Sequence, residues 1–521
     1  MTFAQPSHTP PPEPAKVRGI YRAYLKSFDH YFRHFDENDH LVMDQAAFEA
    51  WQATVRPDPQ MVVKEGGYEL ETLMLQLSEF VEIPAGRKCT SRTSDAYKTH
   101  VRRMKTEGWG AKISARVKSY GCSAGSDPLQ CFADSAKWPN HPEVVNPALE
   151  VPETRIVELG EIGSTNYWTR SSPTGRYIGN GGPARIDDME KNIRYTIKGA
   201  KYDPGFFPDN SGFGFHGEKA IFCSMQALRQ TGTAANLTMG GTSWKEYEID
   251  PFANGMCHQS TGENRIVTYQ SQGMAMNDLA YVVTGDHYAD DGKGYGGGPN
   301  IMFYGGNLEV YELEKTANGY TREDVPPTKF SLKGEGDFSL TPSTEYIVGR
   351  ITGKPGPNKW NTQMGYMLRS LRNMMKQGMD FKMDEDPTLS EYCFLGMGTK
   401  PQVSYDERFI VFHQWKDFQN SNGEWNPNPV ADIFLIDVMQ PEKVYQITDF
   451  TKSAGFKGRN RALFPHFRAD GWLYFRMEPE TAKPVCQENT GLCAPPQTGA
   501  DTAYMMATDV ALRIAKEHPI D

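Results

Sequence analysis

No run of apolar residues in this chain approaches the ~20 that a membrane-crossing helix needs. The first twenty residues also lack the apolar core of an export signal, which leaves a cytosolic chain or the mature form of an exported one. Basic charge is in deficit. Lys and Arg number 55 against 65 Asp and Glu, the net charge is −10, and nucleic acid is not an expected partner. There is no G-x-x-x-x-G-K-(S/T) phosphate loop. None of the eight cysteines is spaced C-x-x-C or C-x-x-C-H, which removes the zinc ribbon, the thioredoxin motif and covalently held haem. Nothing after the strand-rich region resembles an α/β-hydrolase domain, since the chain reaches Asp521 through one short amphipathic helix, Asp509 to Glu517. No catalytic residue and no bound cofactor is expected from these patterns.

Aromatic residues make up 12%, and there are 49 Gly and 35 Pro. That mixture suits many short strands joined by tight turns. Two cysteine pairs lie close in sequence, Cys122 with Cys131 and Cys486 with Cys493. Each could close a small loop, which points to an oxidising compartment, periplasmic or secreted, with the cytoplasm as the alternative.

The chain divides by pattern. Residues 1–16 are a linker; the stretch Pro6 to Pro14 is proline-rich and extended. Residues 17–150 read as mainly helical. Ile20, Tyr24, Phe28, Tyr31, Phe32 and Phe35 recur at helical spacing. Asp44 is the N-cap of a second helix holding Ala46, Phe48 and Trp51. Leu70 to Val81 and Ala96 to Lys105 give a third and a fourth. Residues 36–47 imitate a calcium loop but carry His40, Leu41 and Ala47 where that loop needs an oxygen ligand, a Gly and a Glu, so the expectation is a polar turn between helices.

From about Arg155 a short phrase recurs, a tight turn followed at once by a hydrophobic strand. Its copies begin at Ser172, Pro208, Ser260, Pro342, Ser404 and Arg468. Pro fixes φ, Asp or Asn bonds its own backbone, and Gly supplies positive φ. The best copies are followed by a strand ending in Asp: Ala184 to Asp188 with Arg194 to Ile197, and Ala431 to Asp437 with Val444 to Thr448. Measured at Pro173, Pro208, Thr261, Pro342, Tyr405 and Ala469, the intervals run from 35 to 81 residues, and a four-stranded blade takes about 40–50, so the longer ones carry insertions. Four are recognisable: a Gly-rich loop, Asp286 to Asn300; Asn358 to Asp386, with a Met-rich helix from Met364 to Met379; Gln419 to Pro429; and Cys486 to Thr498.

This order of turn, strand, Asp-ended strand and Thr-ended strand resembles the repeat of TolB-type β-propellers over roughly residues 155–510. The resemblance implies a mainly β fold over residues 151–511, with six blades (seven being the alternative), behind a small helical region and followed by a tail at 512–521. Repeats of this kind occur in proteins of many functions.

Five His lie near turns or strand ends: His216, His258, His287, His413 and His466. Converging from different blades they could hold a divalent metal, and His258 adjoins Cys257, a possible second ligand. Asp286, Asp290 and Asp291 could offer hard oxygens to calcium. For each of these residues a structural role is the competing reading. Two functions follow. The first is a non-enzymatic binding or scaffold protein of the bacterial envelope that holds a protein partner on the propeller's end face. The alternative, which the resemblance permits, is a metal-assisted lyase or hydrolase acting on a polysaccharide in the propeller funnel.

Overall fold

A computed structural model describes residues 32–35, 41–54, 79–80, 92–93, 95–112, 156–163, 169–181, 184–217, 221–228, 232–253, 255–259, 272–274, 280–287, 305–316, 319–322, 328–333, 335–352, 363–371, 390–394, 398–416, 430–440, 444–449, 459–479, 485–487, 492–494 and 503–520. Strands dominate, arranged as successive antiparallel sheets. Sheet A contains Thr169–Ser171, Tyr177–Asn180, Arg185–Asp188 and Ile193–Ile197. It is extended by the hairpin Ala235–Met239 and Thr242–Ile249, whose second strand runs parallel to Ile193–Ile197. Sheet B contains Ala200–Phe206, Gly212–Gly217, Ile221–Ser224 and Cys257–Gln259. Sheet C contains Gln272–Met274, Ala280–His287, Gly305–Thr316 and Gly319–Arg322, with Thr328–Lys333 also paired to Gly305–Thr316. Sheet D contains Glu335–Leu340, Tyr346–Thr352, Gln363–Ser370 and Ser390–Phe394. Sheet E contains Gly398–Val403, Phe409–Lys416, Val430–Asp437 and Val444–Gln446. Sheet F contains Arg459–Phe467, Leu473–Pro479, Ala503–Thr508 and Ile156–Gly163, and it is continuous with sheet E through a parallel pairing of Ala431 with Arg461.

Each sheet touches the next, largely through its first strand, and sheet F touches sheet A through Arg459–Phe467 and Thr169–Ser171. The contacts therefore form a closed cycle, and the fold is propeller-like. Burial explains the arrangement. All eight residues of Val430–Asp437 are buried, so this strand reads as a near-continuous apolar run rather than an alternation. Such a sheet needs cover on both faces, and neighbours on a ring supply it. One core cluster spans sheets E and F, and another spans A and B. The outer strand of sheet F, Ile156–Gly163, comes from the chain before sheet A and pairs with Ala503–Thr508.

Five of the six turn phrases lie among the described residues, and all five form the same turn between the first two strands of a sheet. Ser172 N donates to Tyr177 O, and Gly175 N to Ser172 O, both at 2.8 Å. The same two bonds recur at Phe207 to Gly212, Thr341 to Tyr346 and Ser404 to Phe409, and one residue shorter at Arg468 to Trp472. In each turn a side-chain oxygen accepts from the backbone N–H two residues on: Thr174 from Arg176, Asp209 from Ser211, Ser343 from Glu345, Asp406 from Arg408 and Asp470 from Trp472. The fourth residue takes positive φ. It is Gly175 and Gly471 in two turns, but Asn210, Thr344 and Glu407 in the others.

The Asp-ended strand also acquires a physical reason. Arg176 binds Asp188 through Nε and Nη2 at 3.0 and 2.7 Å. Arg408 binds Asp437 in the same forked way at 3.0 and 2.6 Å. Each Asp also caps its following turn, Asp188 accepting from Glu190 N and Asp437 from Met439 N. One carboxylate thus ties the start of the second strand to the end of the third.

Several expectations require correction. Arg33–Phe35 is a strand paired with Leu41–Met43, not the end of a helix, so the calcium-like stretch directly follows a strand. The hairpin delivers Phe32 to Phe48 and Trp51, with ring centroids 5.3 and 5.6 Å apart, and this contact outweighs the local helical spacing. Helix α1, Gln45–Thr54, is capped by Asp44, whose Oδ1 accepts from Ala47 N at 2.9 Å. Helix α2, Asp95–Thr106, occupies the fourth helical segment. Just ahead of it, Arg92–Thr93 adds a strand to the edge of sheet D. The Met-rich segment opens as a strand. Met364 and Met367 lie on Gln363–Ser370, held in register by Tyr346–Thr352, while Met374, Met375 and Met379 fall outside the described residues. Most of the third helical segment and the copy beginning at Ser260 also fall outside them. Helix α3, Val510–Glu517, packs Val510, Ala511 and Ile514 into the core.

Asp437→Ala would strand Arg408, whose side chain is 3% exposed, without its carboxylate. The expected loss is about 3–5 kcal/mol, read by urea unfolding.

Candidate functional site

The two ends of the ring differ. At the turn end, sheets D, E and F are covered by the chain itself. Tyr97 of α2 donates its hydroxyl to Glu407 O at 2.7 Å, and His100 Nε2 meets Glu407 Oε2 at 2.7 Å. Glu407 Oε1 accepts from Ser343 N in the neighbouring sheet's turn at 2.6 Å. Arg103 donates to both oxygens of Glu345 and to His100 Nδ1, so Nε2 carries the imidazole proton and donates it to Glu407. Glu407 is fully buried at φ 59°, where two of the other turns use Gly. A residue with a Cβ is unfavourable in the left-handed region, and the two bonds of the Glu407 carboxylate, with Tyr97 on its backbone oxygen, offset that cost. Helix α3 covers sheet F, where a Cβ on Gly471 would lie 2.7 Å from Leu512 Cδ2. Arg408 reaches His518 O at 2.6 Å.

At the opposite end, long connections leave four consecutive sheets. Residues 288–304, 353–362, 417–429 and 480–502 each join the second strand of their sheet to the third, in C, D, E and F in turn. An antiparallel sheet places that connection at the end away from its first turn. In sheets A and B the same position holds only residues 181–184 and 218–220.

Two of the five expected His come together between these ends, around Phe464. His413 Nδ1 accepts from Phe464 N at 3.3 Å. His466 Nδ1 donates to Phe464 O at 2.9 Å, and its Nε2 accepts from Ser171 N in sheet A at 2.8 Å. Both nitrogens of His466 are therefore spent on backbone, leaving neither for a metal. Burial lowers its pKa to about 3; the nearby Arg170 cation adds to this, and the Phe464 carbonyl opposes it. Phe464 itself has φ 54°, in a bulge of the first strand of sheet F. Over its ring lies Arg476, Cζ 4.4 Å from the centroid.

From Arg476 a buried polar chain crosses the seam. Arg476 pairs with Glu478 and donates to Thr169 Oγ1, and Thr169 donates to Asn180. Further out, Asp187 holds Arg194 at 2.7 and 2.9 Å. Arg185 and Arg194 both donate to Ile162 O on the closing strand, at 3.1 and 3.5 Å. Burial lowers Arg185 to about 10, with Arg194 and Arg476 adding to the fall and Asp187 opposing it. These groups fasten sheet F to sheet A. Nothing in the chain of contacts is an activated nucleophile or a shared-proton pair.

His216 and His258 lie on sheet B strands with Ile221–Ser224 between them. Asp286 and His287 end the strand Ala280–His287, opposite Asn307 and Gly306, rather than sitting in a loop. Asp290, Asp291, Cys122 and Cys131 fall outside the described residues. No group of three or more His, Cys, Asp or Glu able to hold a metal occurs among the described residues. The Cys257–His258 metal pair is overturned, because Cys257 forms a disulfide with Cys223 on the adjacent strand, its register partner. Sequence reading missed this bridge because its ends are 34 residues apart. Cys486 and Cys493 are likewise register partners, in a two-stranded hairpin. Sequence reading also overlooked Gly121-Cys122-Ser123-Ala124-Gly125, which has G-x-S-x-G spacing and lies outside the described residues.

No family model and no curated protein matches the chain. Solved structures overlap it weakly. Oligogalacturonate lyase from Vibrio parahaemolyticus is 9% identical over 71% of this chain and 96% of its own, with a TM-score of 0.34. The Dos1 propeller is 10% identical over 68% and 95%, at 0.30. The Swd1 β-propeller domain of Myceliophteria thermophila is 10% identical over 70% and 99%, at 0.30. Overlaps this low carry no inference about activity. The propeller-like assignment rests on the closed cycle of sheets.

His466 stays neutral in the fold, with its pKa far below the usual 6.5, so the unfolded chain takes up its proton first. Acidification from pH 6.5 toward 3 removes stability at up to about 1.4 kcal/mol per pH unit for this residue. His466→Gln should flatten the fall in urea-unfolding free energy between pH 6.5 and 4. For the turn end, Glu407→Gly relieves φ but removes the clasp. Backbone amides of α2 should exchange about tenfold faster, whereas Thr344→Gly, at the same turn position, should leave them unchanged.

Proposed function

We propose that this protein is a non-enzymatic binding or scaffold protein that holds a protein partner at the end of the ring bearing the long connections. The observation that carries this reading is the placement of four insertions, from four consecutive sheets, at one end. The opposite end, over sheets D to F, is occupied by α2 and α3. Their sequences favour recognition: residues 288–304, 353–362 and 417–429 combine Gly, Pro and Asn with Tyr295, Trp360 and Trp425, which pair adaptable backbone with rigid aromatic area. The charged groups around Phe464 are engaged in holding sheets together, which favours binding over chemistry.

We further read the ring as six-bladed and TolB-type. Sheets A to F each supply one blade, and the turn phrase, forked Arg–Asp pair and Asp-ended strand together account for the repeat. An oxidising compartment, periplasmic or secreted, fits the Cys223–Cys257 bridge. No helix among the described residues is long and apolar enough to cross a membrane. The polysaccharide lyase or hydrolase with a funnel metal is the weaker reading, since His466 has no nitrogen to offer.

The test is affinity capture from a bacterial envelope extract. The parent chain should retain a stoichiometric partner, and replacing 419–429 with a short Gly-Ser turn should abolish capture without lowering the melting temperature. A metal-dependent turnover of polysaccharide, with no partner retained, would sink the reading.

A further inference from the structure

Among the described residues, the hairpin Val485–Gln487 and Leu492–Ala494 is a sheet of its own, paired with no other strand. It lies inside the 480–502 connection, at the insertion end of sheet F. A lone two-stranded hairpin is marginal in water and needs a further constraint to persist. Its central register pair is Cys486 opposite Cys493. The same chain already joins one cross-strand register pair of this kind, Cys223 and Cys257, as a disulfide with Cα atoms 4.0 Å apart. No free cysteine occurs among the described residues.

We propose that Cys486 and Cys493 form a cross-strand disulfide, and that its redox state decides whether this hairpin is folded. Closure proceeds by exchange with a disulfide-bearing oxidant such as glutathione disulfide. One cysteine thiolate attacks the oxidant, forming a mixed disulfide and releasing one thiol. The other thiolate then attacks the bound cysteine sulfur, forming the intramolecular bond and releasing the second thiol. The two cysteines lose two electrons, the oxidant gains them, and the two cysteine protons end on the released thiols. Because no described strand of the ring pairs with the hairpin, reduction unfolds it without opening a described sheet. Its part in partner capture rests on the binding reading above.

The full chain is digested without reduction in the presence of iodoacetamide and mapped by mass spectrometry. The expected product joins Cys486 to Cys493, both unalkylated until dithiothreitol is added. Alkylation of either cysteine before reduction, or linkage to a different cysteine, overturns the assignment. Hydrogen exchange then tests the switch. Amides of 485–494 should exchange at least ~10-fold faster in the Cys486→Ser/Cys493→Ser variant, with the Cys223 and Cys257 strands unchanged. Equal exchange in parent and variant overturns it. In capture from envelope extract, the variant should retain about tenfold less partner. Equal retention overturns the hairpin's part while leaving the binding reading intact. If the parent captures nothing, the binding reading and the hairpin's part in it both fail, and the disulfide is judged by the mapping alone.

Discussion

A sheet buried on both faces needs a neighbour on each side, and only a closed cycle gives every sheet two. That constraint governs this molecule. Val430–Asp437 has no solvent-facing residue at all, so sheet E depends on sheets D and F for its stability. The last contact, between F and A, has to be made by groups that fix register as well as bury area. The seam is correspondingly polar: Arg476 on Thr169, His466 on Ser171, and Arg185 and Arg194 on Ile162 O. Such bonds are directional, and a seam of apolar side chains alone would fix the angle between first and last sheets less sharply.

Within each sheet the corresponding constraint is the turn. Five turns make the same backbone bonds with different residues at the fourth position, and the differences are informative. Gly175 and Gly471 satisfy positive φ at little cost. Glu407 does not, and its carboxylate is what the position is used for, since it joins His100 of α2 to Ser343 of the neighbouring turn. One turn residue therefore serves three elements at once: its own hairpin, the next sheet and the helix that covers both.

Much of this fold was legible in the sequence because its signals are local. Pro, Asp and Gly fix a turn within five residues, and Arg and Asp at the ends of neighbouring strands meet by register alone. The N-cap at Asp44 is equally local. Contacts between distant segments were not legible. Phe32 has helical spacing but follows Phe48 and Trp51 into a hairpin. Met364 and Met367 look helical in isolation but belong to a strand held by Tyr346–Thr352. The site followed the same rule. Nearness in sequence singled out Cys486 with Cys493, yet gave no sign of Cys223 with Cys257. His413 and His466 were singled out as candidate metal ligands with a structural role as the competing reading, and their partners, backbone groups of Phe464 and Ser171, are reported by no spacing rule.

The strand that completes sheet F also sets a clock. Ile156–Gly163 leaves the ribosome about 340 residues before Ala503–Thr508, the only strand it pairs with among the described residues. At 5–20 residues per second that delay is roughly 20–70 s. Throughout it the nascent chain carries an apolar strand with no hydrogen-bonding neighbour and a run of sheets that cannot close. Such an edge invites pairing with any other extended chain. The order of strands along the polypeptide thus makes the half-made protein a client for whatever cellular machinery shields exposed strand edges, until Ala503–Thr508 has been made.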